Sequence, residues 1–109
     1  MSQKGYNSNY NKGIRAENKV AKAYRQNGWI VDQSKSNKGV ADLKCTNKHG
    51  TIHYVQVKSA SSGRKPYISN SELGNLKSAA TRNGATAVIA EVTDKLKIQY
   101  AKTGNKTKL

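Results

Sequence analysis

The sequence predicts a single α/β domain built as a mixed five-stranded sheet flanked by helices, and three observations support this. Its 109 residues suffice for one compact domain but not for two. Two segments carry apolar residues at helical spacing, and each closes on a glycine, Gly28 and Gly84. Five short apolar runs fall around them in the order helix, three strands, helix, two strands, an order that lays helices on a sheet.

Residues 1–12 carry Gly, Asn, Ser and two tyrosines with no hydrophobic period, and read as a flexible basic arm. Lys4 and Lys12 suit phosphate contact there, and Tyr6 or Tyr10 suits stacking on a base; the alternative is a disordered tail. The folded domain is expected over 13–103. Its first helix is predicted at 14–27, where Ile14, Val20, Ala21 and Tyr24 recur at helical spacing. Glu17 shares that stripe, and a carboxylate facing a core costs free energy unless something pairs with it.

A short strand follows in "W-I-V-D-Q-S", then the loop "K-S-N-K-G". A second strand is predicted over 40–46, a hairpin turn at "N-K-H-G" and a third strand over 51–60. In that third strand Ile52, Tyr54, Gln56 and Lys58 share one face, and His53, Val55 and Val57 the other. The polar loop "S-S-G-R-K-P-Y" leads to a second helix at 70–83. Ser69 and Glu72 form its capping box, and Leu73, Leu76 and Ala80 its apolar stripe. Strands at 86–92 and 95–100 are joined by Thr93-Asp94, and 104–109 reads as a basic, frayed tail.

Lys and Arg total 20 against 6 Asp and Glu, a net charge of +14. Such an excess concentrates polyanions at the surface, and nucleic acid is the leading partner class. A membrane is the competing polyanion. No apolar run approaches the roughly 18 residues of a spanning helix, and the first helix lacks the Trp or Phe of an interfacial anchor. The first residues lack the apolar segment of a signal peptide, and the single Cys45 forms no internal disulfide. An intracellular setting is expected.

On a surface built for phosphate, each of the six carboxylates repels the ligand unless a cation intervenes. Glu72 has a capping role and Asp94 lies in a turn, while Glu91 and Asp32 read as solvated. Glu17 and Asp42 remain, both in apolar segments. Gln56 and Lys58 stand about 6.6 Å apart along one strand face. Carboxylate and amide oxygens are the hard ligands that Mg²⁺ accepts, and an ammonium beside the metal offsets charge growing on a phosphate. Metal-assisted phosphodiester hydrolysis needs about this inventory.

The run "G-I-R-A-E-N-K-V", then "S-K-S-N-K-G-V-A-D-L", then "V-Q-V-K-S" resembles the PD-(D/E)XK nuclease superfamily, with its restriction-endonuclease-like core. Within it the sequence is most similar to the small Holliday junction resolvases of archaea and their viruses. The resemblance covers 13–59 well and 69–92 more loosely. It implies that Glu17 is the helix-borne acid and Asp42 the central metal ligand. Gln56 would stand at the second acid's position, Val57 would offer its backbone carbonyl, and Lys58 would be the motif lysine. Ser36, or Ser34, would lie close to the scissile phosphate. Arg15, Lys35, Lys38, Arg64 and Lys65 would join Lys4 and Lys12 against DNA.

Two positions depart from the pattern. Ala41 replaces the name-giving proline, which does no chemistry. Gln56 replaces a glutamate, a known variation that leaves Glu17 and Asp42 as the site's formal anions. The resemblance therefore implies a Mg²⁺-dependent endonuclease, with Mn²⁺ as substitute, that resolves four-way junctions by paired symmetric nicks as a homodimer. The alternatives are another nuclease of this superfamily (nickase, restriction-like or repair) and a non-catalytic DNA-binding module whose metal site has decayed.

Blander roles exist for the same residues. Glu17 pairs with a neighbouring cation of its helix, Asp42 caps a turn, and Lys58 guards a strand edge. Cys45, His49 and His53, four residues apart, invite a zinc reading; the spacing does not match structural zinc sites and no fourth ligand is in view.

Overall fold

Apolar periodicity becomes seven elements in a computed structural model, which describes residues 8–33, 41–60, 67–101, 104–107 and 109, with backbone alone over 8–13. Helix α1 (Ser8–Gln26) leads into strands β1 (Ile30–Asp32), β2 (Leu43–Thr46) and β3 (Ile52–Ser59). Helix α2 (Asn70–Arg82) and strands β4 (Thr86–Val92) and β5 (Leu96–Tyr100) complete the predicted order.

The strands form one sheet in the order β1-β2-β3-β4-β5. The β1–β2, β2–β3 and β4–β5 pairs are antiparallel, the last two joined by short turns. The chain between β3 and β4 is long enough to return through α2, so those two run parallel. In the β2–β3 turn the Asn47 side-chain oxygen accepts from the N–H groups of His49 and Thr51 at 2.9 Å each. Gly50 takes φ +84°, a region that a side chain would resist.

Side-chain alternation assigns each helix a sheet face. Ala16, Val20, Ala21 and Tyr24 of α1 bury against Leu43, Cys45, Val55, Val88 and Ala90. On the other side Leu76 and Ala80 of α2 cover Ala87 and Ile89. In β3, His53 and Val55 therefore point to α1, whereas Tyr54, Gln56 and Lys58 belong to the α2 face, as predicted. His53 is 3% exposed, and its Nδ1 lies 2.8 Å from the Tyr24 hydroxyl oxygen in a hydrogen bond. Trp29 and Tyr100 crowd the same imidazole, and burial pushes its pKa down to about 4. This aromatic cluster is structural. Among the described residues no three of His, Cys, Asp and Glu gather to hold a metal, so Cys45, His49 and His53 form no zinc centre.

Some boundaries differ from expectation. Helix α1 begins at Ser8, inside the segment assigned to the arm, because a nucleated helix propagates at little cost beyond its apolar stripe. Ile14 is 38% exposed, being about 120° round the helix from the centre of the Ala16–Val20–Tyr24 stripe; Ala16 packs in its place. β2 starts at Leu43 rather than at 40, for a reason given below. Two described residues of the final segment are tied to the fold rather than frayed: Lys106 pairs with Gln99, and the Trp29 indole N–H donates to the Leu109 carbonyl at 2.9 Å. No described helix is long and apolar enough to cross a membrane.

Candidate functional site

The candidate residues gather at the end of the sheet where β3 outruns β2. The β2–β3 register pairs Leu43 with Val55, and the Asp42 N–H still donates to the Val55 carbonyl at 2.8 Å. Beyond that point the next N–H on this edge of β3, at Val57, has no strand partner from β2. The Asp42 carboxylate takes it, Oδ2 accepting at 2.7 Å. A side chain thus closes the ladder, and this is why β2 starts at Leu43. That bond and the nearby Lys58 charge pull the Asp42 pKa down, but burial outweighs them and, with the Glu72 charge, leaves it raised.

Glu17 reaches the same end from α1. It lies within the helix's inward stripe, one turn before Val20 and Ala21, and is half-buried. Burial raises its pKa first, and the Asp42 charge raises it further. The Asp42 charge therefore reaches a partly buried Glu17 on another element. This is an arrangement that a cation would relieve.

Gln56 and Lys58 follow on the α2 face of β3. Continuing the β2–β3 register sets Gln56 opposite Asp42. Lys58 Nζ donates to Glu72 Oε2 at 2.7 Å, in an ion pair whose side chains are 24% and 43% exposed. Glu72 has a second task. Its Oε1 accepts from the Ser69 N–H at 3.1 Å, while Ser69 Oγ accepts from the Glu72 N–H at 3.1 Å. The Lys58 hydrogen bond, then the Ser69 N–H, hold the Glu72 carboxyl below its usual range. The capping box was legible in the sequence; the grip on Lys58 was not. Its only signal was the β3–α2–β4 crossover, which brings the start of the helix over the end of the preceding strand.

Oxygen donors of the kind a small hard cation accepts lie at this end of the sheet, although Glu17 comes from the α1 side and Gln56 belongs to the α2 face. Glu17 and Asp42 could offer carboxylates, Gln56 an amide oxygen, and Val57 a carbonyl on the strand edge whose N–H Asp42 binds. With only two carboxylates from this list, water and a substrate phosphate would complete an octahedron. Arg15 is exposed on α1, two residues from Glu17, and the backbone of Lys12 lies in the same helix. Ser34, Ser36, Lys35, Lys38, Arg64, Lys65 and Lys4 lie outside the described residues.

No protein-family model matches the chain, and comparison with curated proteins finds no match. Among solved structures the chain is similar to Hjc, a Holliday junction resolvase from the archaeal hyperthermophile Archaeoglobus fulgidus. The TM-score is 0.74 at 20% sequence identity, over 89% of this chain and 79% of that one. At that identity the likeness is one of fold: a single small domain with a five-stranded mixed sheet and two helices.

Proposed function

We propose that this chain is a divalent-metal-dependent DNA endonuclease that cuts four-way junctions as a homodimer. The observation that carries the reading is the meeting of Glu17, Asp42 and Lys58 at one end of the sheet, in a chain of net charge +14. The fold shared with a Holliday junction resolvase supports the choice of substrate. Gln56 keeps an oxygen donor at the site while removing one negative charge.

Glu17, Asp42, Gln56 and the Val57 carbonyl would hold Mg²⁺, or Mn²⁺ in its place. Bound there, the ion would polarise the scissile phosphate and lower the pKa of a water nucleophile. The chain does the positioning. The Val57 N–H fixes the plane of the Asp42 carboxylate. Lys58 offsets negative charge developing on the phosphate, and Glu72 keeps its ammonium at the strand end until a phosphate competes for it. Ser36 would approach the scissile phosphate, and Arg15, Lys35, Lys38, Arg64, Lys65, Lys4 and Lys12 would hold the backbone. Two matched nicks in strands of like polarity need two sites at fixed separation, which a two-fold dimer provides. Such an enzyme would work inside the cell, where junctions form.

The test incubates the protein with Mg²⁺ or Mn²⁺ and labelled four-way junction, duplex or single strand, beside Asp42→Asn. Symmetric cuts confined to the junction and lost in the variant are expected. Cuts on every substrate would make it a nuclease of broader range. Tight binding without metal-dependent cutting would leave a DNA-binding module.

A further inference from the structure

Lys58 is also the first member of a polar row that crosses the α2 face of the sheet. The register places Lys58 beside Glu91 of β4, and Glu91 beside Lys97 of β5. Two residues along β5 on the same face, Gln99 lies beside Ile89 and pairs with Lys106, so Lys106 extends the row, offset along the strand, onto the segment beyond β5. Helix α2 packs on Ala87 and Ile89; the next residue on that face of β4, Glu91, lies outside that apolar cluster and is partly exposed. Lys95, Lys97 and Lys106 are exposed and, with Glu91, line a cleft of about 300 Å³.

We propose that this partly exposed sheet face is a second DNA-contacting surface, a track that holds the phosphate backbone as it leads away from Lys58. The proposal rests on the reading that the partner is DNA cut beside Lys58, and it adds where the uncut part of the strand lies. Beyond Lys58, which Glu72 already holds, Lys95, Lys97 and Lys106 share the row with one carboxylate, Glu91, and the Gln99 amide donates to its Oε2 at 3.3 Å. Neighbouring strands lie about 4.8 Å apart, so the row spans roughly 10 Å from Lys58 to Lys97 and about 16 Å to Lys106, which is offset by two residues along the strand. Consecutive phosphates of one strand lie roughly 6–7 Å apart through space, so the span matches about two to three of them. The row offers none of the large exposed hydrophobic side chains that anchor protein partners; among the described residues those are Ile14, Ile30 and Tyr67, all elsewhere.

The experiment compares two triple variants of equal charge loss, both in the uncleaving Asp42→Asn background and both checked for an unchanged unfolding midpoint. One is Lys95→Ala/Lys97→Ala/Lys106→Ala. The other, Lys19→Ala/Lys22→Ala/Lys48→Ala, removes exposed lysines from α1 and the β2–β3 turn. Metal-free binding of duplex DNA is measured across a salt series. The row variant should bind roughly tenfold or more weakly, and its slope of log K against log salt should fall by about 2–3, near 0.9 per lost phosphate contact. The second variant should change Kd less than about threefold, and arginines in the row should restore binding. Equal losses in both triples, or an unchanged slope in the row variant, would overturn the track. The two readings fail separately. A wild-type protein that cuts nothing defeats the nuclease while the row's binding loss stands. A row variant that binds and, with Asp42 restored, cuts like wild type defeats the track alone.

Discussion

Asp42 is asked to do two things that pull against each other. Its carboxylate completes the β3 ladder at Val57, and it also stands in a desolvated place beside Glu17. Because the folded-state pKa of both acids is raised, the native state holds their protons more tightly than the unfolded chain does. Their effect on stability is therefore favourable at low pH and lost as pH rises through the folded values. Asparagine keeps an acceptor for Val57 and removes the charge. Asp42→Asn should accordingly stabilise the metal-free protein by about 1 kcal/mol at pH 7 in urea unfolding, with the gain shrinking toward pH 4. Mg²⁺ should raise the Tm of wild type but not of the variant. A variant less stable than wild type at pH 7 would mean that the ladder bond, not the carboxylate pair, dominates this position.

Helix α2 shows how one side chain serves packing and site together. Ser69→Ala removes the hydroxyl acceptor of the capping box and should cost about 1 kcal/mol, read from the urea midpoint. Glu72→Gln keeps an amide oxygen for the Ser69 N–H and surrenders only a partly exposed ion pair, which contributes less than about 1 kcal/mol. It should therefore be the milder of the two in stability. If Glu72 holds Lys58 for the reaction, the same substitution should lower cleavage by more than Ser69→Ala does. The reverse order in the cleavage assay would leave Glu72 as a cap and nothing else.

The fold as a whole is tied to pH through the aromatic cluster that joins α1, β3, β5 and the last residue. His53 is buried with its pKa depressed to about 4, so between that value and 6.5 the unfolded chain binds a proton that the native state does not. Stability should be greatest at neutral pH and fall as pH drops from 6.5 toward 4, by on the order of 3 kcal/mol over that span. Glu17 and Asp42 act in the opposite direction in the carboxylate range, so the histidine slope is cleanest at its upper end. Urea unfolding at pH 7.5, 6.5 and 5.5 reads it directly. A His53→Gln variant should flatten the slope; an equal slope in that variant would assign it to other groups.

Much was legible because it rests on local rules. Helical periodicity found both helices, period-two alternation put Gln56 and Lys58 on one face, and Ser69 with Glu72 announced a helix start that the structure contains. The net charge of +14 sets an attraction for polyanions, since Coulomb attraction depends on the sum of charges more than on the fold. The meeting of distant residues was decided by tertiary structure alone. Glu17 comes within electrostatic reach of Asp42, Glu72 takes hold of Lys58 from the following helix, and the Leu109 carbonyl receives the Trp29 indole 80 positions back. Periodicity states which way a side chain faces within its own element. It carries no information about which other element arrives there; strand register and the parallel crossover set that, because they fix where each chain segment lies against its neighbours.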